Sequence, residues 1–116
     1  MIFYGLKTCD TCKKALKALQ AAGHAPRVID VRADGVPEVD LAAWLDRIGP
    51  DALVNTRSTT WRGLDAAEKA RAGDAKGALA LLRAHPTLMK RPLIVTENQI
   101  HLGWTKPVQE ALLGTG

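Results

Sequence analysis

The chain predicts an α/β fold built on a mixed four-stranded sheet, and three observations carry that prediction. A strand, helix, strand pattern opens the sequence, a strand, strand, helix pattern closes it, and the stretch between carries only helical periodicity. The first pattern implies two parallel strands joined by a right-handed crossover, the last an antiparallel hairpin, so a single sheet holding both is mixed.

Each element follows from its residues. "IFYGL" (2–6) is short, apolar and aromatic-rich, which favours a strand. Cys12, Ala15, Leu16 and Leu19 then recur at i, i+3, i+4, i+7, the stripe of an amphipathic helix, and Gly23 stands where a helix end takes a left-handed residue. "RVIDV" (27–31) is the second strand. Leu41, Trp44, Leu45 and Ile48 define a helix that begins near Pro37 and is closed by Gly49-Pro50. Asp65 and Glu68 have the spacing of a capping pair for a short helix over 65–72. Asp74 caps another, with Ala75, Ala78, Leu79 and Leu82 as its buried face and His85-Pro86 as its end. The stretch 38–85 is thus expected to hold three helices. "PLIVT" (92–96) and "QIHL" (99–102) flank Glu97-Asn98, where Asn98 tolerates positive φ, so a hairpin is expected. A last helix from 107 presents Val108, Ala111 and Leu112. The order β-α-β, helices, β-β-α is that of a thioredoxin-like core with an enlarged middle connection: core 1–35 and 86–116, helical insertion 36–85.

A length of 116 residues suits one domain. No apolar run approaches the roughly 20 residues of a membrane-spanning helix, and "MIFYGLK" is too short an apolar stretch for a leader peptide. The expectation is a cytoplasmic protein with no membrane contact. Sixteen basic against twelve acidic residues give a net charge of +4, enough to favour small oxyanions. Aromatics are only 4% and are not interleaved with the basic residues, so direct nucleic-acid binding by stacking is not expected.

"KTCDTCKK" (7–14) holds the chain's two cysteines, Cys9 and Cys12. Three readings compete: a redox pair, half of a metal site, or two small core side chains. In the cytoplasm a structural disulfide is unusual, which favours chemistry. Cys9 falls at the start of the first helix, where free N–H groups and the positive dipole end stabilise a thiolate. Lys7, Lys13 and Lys14 push the same way and Asp10 opposes them. Cys12 lies one turn on, close enough to resolve an intermediate on Cys9, although its place on the apolar stripe equally suits a core residue. Zinc needs about four ligands. The scattered His24, His85 and His101 supply no second pair, so no metal is expected. Arg91 precedes Pro92 at the third strand, where a thioredoxin-like fold carries a cis proline facing the nucleophile. Arg57, in "NTRSTTWRGL", sits among hydroxyl residues where packing needs no guanidinium, and arginine suits bidentate oxyanion binding.

"YGLKTCDTCKKA", "ALVNTRSTTWRGL", "MKRPLIV" and "LGW" occur in one order along the chain. Their combination resembles the glutaredoxin-linked arsenate reductase family, most closely its small reductase-like branch, over nearly the whole length. The resemblance implies a thioredoxin-like core with a helical insertion, Cys9 as the catalytic cysteine, and Arg57 and Arg91 around a bound oxyanion. It implies glutathione as co-substrate, with no bound cofactor, and glutaredoxin as the partner that resolves the mixed disulfide. A third arginine of the arsenate-reducing members falls near "HLGWTKP", where this chain has Trp104. The Cys-x-x-Cys is similar to that of the Spx regulators, which bind RNA polymerase and use the pair as a redox switch. The leading expectation is a glutathione-coupled thiol-disulfide oxidoreductase acting on a disulfide or small oxyanion substrate. The alternatives are an arsenate reductase proper and an Spx-like regulator.

Overall fold

The computed structural model describes residues 1–97 and 99–114. The chain divides into two compact units, one formed by Met1–Asp34 with Arg91–Gly116 and the other by Gly35–Lys90.

The first unit contains the sheet. Strands β1 (Ile2–Gly5), β2 (Arg27–Asp30), β3 (Leu93–Thr96) and β4 (Gln99–Leu102) lie in the order β2-β1-β3-β4. β1 is parallel to β2 and antiparallel to β3, with Phe3 opposite both Val28 and Ile94, and β3 is antiparallel to β4. The sheet is therefore mixed and four-stranded, as the sequence pattern requires. Helix α1 (Asp10–Ala21) makes the crossover between the parallel strands, and helix α7 (Lys106–Leu113) follows β4. Cys12, Ala15 and Leu19 of α1 are buried against Phe3 and Ile94, the expected stripe on the expected partners. Gly23 has φ +93, and the N–H of His24 returns to the Leu19 carbonyl, closing the helix. The ring of His24 contacts the Leu112 carbonyl at 2.9 Å, which ties the end of α1 to the end of α7. At the hairpin, Glu97 itself takes a positive φ of 49°. The expectation for Asn98 lies outside the described residues. Ala111, expected on the inner face of α7, is exposed; Leu112 packs on the core as expected, and Leu113 joins it.

The second unit is helical, and three helices undercount it. Besides α2 (Glu38–Ile48), α5 (Ala66–Arg71) and α6 (Ala75–Ala84), its described residues form α3 (Pro50–Leu53) and α4 (Thr59–Arg62), each of four residues. Such short helices cannot display a 3.6-residue period. Gly49-Pro50 does close α2, but Pro50 also starts α3, at the first helical position where a missing N–H costs nothing. Ser58 caps α4 by accepting the N–H of Trp61 at 3.1 Å. The Asp65/Glu68 capping box is present, and Asp74 accepts the N–H of Gly77. The buried face of α6 is Ala78, Leu81 and Leu82; Ala75 is exposed, because the first turn points outward. α2 and α5 pack on α6. No helix among the described residues is long and apolar enough to cross a membrane.

Candidate functional site

The sheet-containing unit holds Cys9, Cys12, Arg91 and Pro92, whereas Arg57 belongs to the helical unit. β1 ends at Gly5, the chain turns through Leu6, Lys7 and Thr8, and Cys9 becomes the N-cap of α1 with extended backbone angles. The turn is fixed at both ends: the Cys9 N–H donates to the Leu6 carbonyl at 3.0 Å, and the Cys9 carbonyl accepts the first helical N–H, from Lys13. At an N-cap the side chain faces the unpaired N–H groups of the first turn, so the sequence puts the Cys9 sulfur where an anion is favoured.

Cys9 is partly exposed and Cys12 is 3% exposed. Neither is in a disulfide. Partial burial acts to raise the Cys9 pKa but is outweighed. The nearby N–H and thiol of Cys12 and the charge and N–H groups of the Arg91 guanidinium favour the thiolate, so Cys9 ionises below the ordinary thiol range. The charge that favours the thiolate is Arg91, and the neighbouring Lys7, Lys13 and Lys14 are not among its causes. Burial pushes the Cys12 thiol up to about 11, and its hydrogen bond to the Cys9 sulfur and the charge there act in the same direction. Of the two thiols, Cys9 is therefore the one that ionises more readily.

The Arg91–Pro92 peptide bond is cis. Pro92 is buried, and its carbonyl accepts the Gly103 N–H at 2.8 Å, fixing this segment beside β4. Trp104 is half-buried and packs on the same core cluster that Cys9 touches. Arg57 is exposed in the turn between α3 and α4. Its N–H donates to the Asn55 side chain at 3.0 Å, its carbonyl accepts from the Arg62 guanidinium, and its own guanidinium makes no ion pair among the described residues.

Asp30 is a site-supporting residue that the sequence pattern passed over. It is only 6% exposed, and its carboxylate accepts the N–H groups of Lys7, Arg32 and Ala33 at 2.9–3.1 Å. The bond to Lys7 anchors the turn that delivers Cys9. A carboxylate at a strand end was the visible signal; its partner 23 residues away was not. Beside this turn lies a cavity of about 190 Å³, with Phe3, Leu6, Leu16 and Val28 as apolar walls and Cys12 in its lining. No cluster of three or more metal-binding side chains occurs among the described residues.

Known proteins are similar to this chain over more than nine-tenths of its length. An uncharacterised protein of Haemophilus influenzae is 41% identical over 108 residues, covering 93% of this chain and 94% of its own. Among solved structures, the YffB protein superimposes with a TM-score of 0.89 at 33% identity, covering 97% of both chains. An arsenate reductase (ArsC) related protein from Brucella melitensis gives 0.75 at 30% identity, covering 95% of this chain and 91% of that one. The ArsC family profile itself matches residues 4–111, so this chain is a member of the ArsC family, arsenate reductase-like in fold and sequence.

Proposed function

We propose that the chain is a glutathione-coupled thiol-disulfide oxidoreductase of a reducing compartment, the cytoplasm, with Cys9 as nucleophile. The observation that carries this reading is the thiolate-favouring position of Cys9: an N-cap sulfur, partly exposed, facing the Cys12 N–H and the Arg91 guanidinium. The Cys9 thiolate attacks one sulfur of a substrate disulfide, forms a mixed disulfide and releases the other sulfur as a thiolate, which takes up a proton from water. The negative charge on Cys9 is then gone. That removes the charge and the hydrogen bond that hold the proton on Cys12, while the Arg91 charge continues to favour ionisation there. Cys12 becomes a better nucleophile only after Cys9 has reacted. It loses its proton, attacks the Cys9 sulfur and expels the bound substrate sulfur, leaving a Cys9–Cys12 disulfide. Two equivalents of glutathione reduce that disulfide and leave as oxidised glutathione; glutaredoxin is the proposed partner where a mixed disulfide with glutathione forms instead. Arg91 steadies the anionic end of the substrate, and the resemblance assigns Arg57 to the same task.

A disulfide is favoured over arsenate because Trp104 stands where the arsenate-reducing members carry a third guanidinium. The cysteine pair also supports a second reading, an Spx-like redox sensor that docks on RNA polymerase and does not turn over. Turnover of hydroxyethyl disulfide, followed with glutathione, glutathione reductase and NADPH, separates the readings. Activity that disappears in Cys9→Ser supports the oxidoreductase. Arsenate consumption without disulfide turnover points to the reductase proper. A stable internal disulfide with no turnover of either, together with binding to purified RNA polymerase, points to the regulator.

A further inference from the structure

Nothing in the thiol chemistry uses the cavity beside the Cys9 turn. Its buried lining, Phe3, Gly5, Cys12 and Asp30, marks the inner side, and the exposed Lys7, Lys13 and Val28 mark the mouth. Val28 is 46% exposed, one of two large hydrophobic side chains left so open among the described residues, and it belongs to the sheet's edge strand. Neither Lys7 nor Lys13 forms an ion pair among the described residues. Asp30 also contributes to the lining, but its carboxylate is occupied by three backbone N–H groups. The volume exceeds the about 150 Å³ of an engineered apolar cavity that holds benzene, so it accepts a hydrocarbon chain of several carbons.

Resting on the thiol-exchange reading, we infer that this cavity is the substrate subsite for an apolar arm ending in an anion. The substrate class is a small organic disulfide whose hydrocarbon arm carries a carboxylate. One arm lies along Phe3, Leu6, Leu16 and Val28 with its carboxylate at the two ammonium groups of the mouth; the disulfide passes Cys12, a lining residue one helical turn from Cys9, and the other half of the substrate stays on the Arg91 side. Two terms select the ligand: methylene burial, which grows with chain length, and charge pairing at the mouth, which does not.

Titration of isotope-labelled protein by NMR with straight-chain carboxylates from butyrate to octanoate, and with octanol, reads these terms separately. The amides of Leu6, Leu16 and Val28 are expected to shift together, with affinity rising about fourfold for each added methylene. Octanoate is expected to bind about fivefold more tightly than octanol, a preference that Lys13→Glu removes. Leu16→Trp fills the cavity and abolishes binding of both; Val28→Trp at the exposed mouth serves if the first variant fails to fold. Octanoate that leaves these amides unmoved, or binds no better than butyrate or octanol, overturns the subsite. Kinetics with linear disulfides of like reactivity then separate the two proposals. A higher kcat/KM for dithiodihexanoate than for dithiodipropionate supports the subsite. Equal values, with both turned over, overturn the subsite alone. Turnover of neither these nor hydroxyethyl disulfide overturns the thiol-exchange reading and the substrate role of the cavity with it.

Discussion

The backbone N–H of Lys7 donates to the carboxylate of Asp30 at 3.1 Å, so the turn before Cys9 hangs from the end of the neighbouring strand. The same carboxylate accepts two further N–H groups in a nearly closed setting. Asp30→Ala leaves these donors without their acceptor and is expected to destabilise the fold by about 2 kcal/mol, measured by urea unfolding. The Ala33 N–H holds the Asp30 carboxyl below its ordinary range, helped by the Lys7 and Arg32 N–H groups and the Lys7 charge, against the opposing pull of burial. A carboxyl lowered in the folded state contributes stability that is complete above its unfolded pKa of about 3.9 and is lost as pH falls through the folded value. The unfolding midpoint of the parent should therefore drop more steeply below about pH 4 than that of Asp30→Asn.

Ionisation of Cys9 has a direct readout in the pH dependence of iodoacetamide labelling. The rate midpoint is expected below the about 8.5 of an unperturbed thiol. In Arg91→Gln it should move up towards that value, since the guanidinium both charges and hydrogen-bonds the sulfur. Cys12, buried and with its thiol near pKa about 11, should stay unlabelled until the protein is unfolded.

Cys12→Ser tests the resolving step. Its backbone N–H still faces the Cys9 sulfur, so Cys9 should still react. With oxidised glutathione the variant should accumulate a mixed disulfide, visible as an intact-mass adduct, whereas the parent should pass to an internal disulfide. Rapid parent-like release from the variant would remove Cys12 from the pathway.

Gly77 in the first turn of α6 offers a test of the helical unit. Alanine normally gains about 1 kcal/mol over glycine inside a helix. Here a Cβ would run into the backbone carbonyl of Arg71 at the end of α5, and backbone cannot rotate aside as a side chain can. Gly77→Ala is expected to lower stability by about 2 kcal/mol despite its better propensity, as read from the thermal midpoint.

The elements legible in the sequence were those whose signals are local and repeated. The Cys12, Ala15, Leu19 stripe states its helix and its buried face together, and the Asp65/Glu68 pair states a helix start to within a residue. α3 and α4 were not legible because four residues hold barely one turn. At the site, the N-cap position of Cys9 followed from the strand-to-helix switch. Its strongest charged neighbour did not: Arg91 is 82 residues away along the chain, whereas Lys7, Lys13 and Lys14 stand close to Cys9 in sequence and are not among the groups that lower its pKa. The Asp30 anchor was hidden for the same reason, since a carboxylate accepting backbone N–H groups leaves no pattern in the residue types that donate them.

The pairing of Phe3 with Ile94 places the central strand's second neighbour at the far end of the chain. During synthesis, β1, α1 and β2 leave the ribosome with one side of β1 open, and the whole helical segment must emerge before β3 can cover it. Arg91 arrives in that same late portion, so the newborn cysteine pair exists for a time without its principal cation. Until then the Cys9 sulfur lacks the contribution that the guanidinium makes to its ionisation.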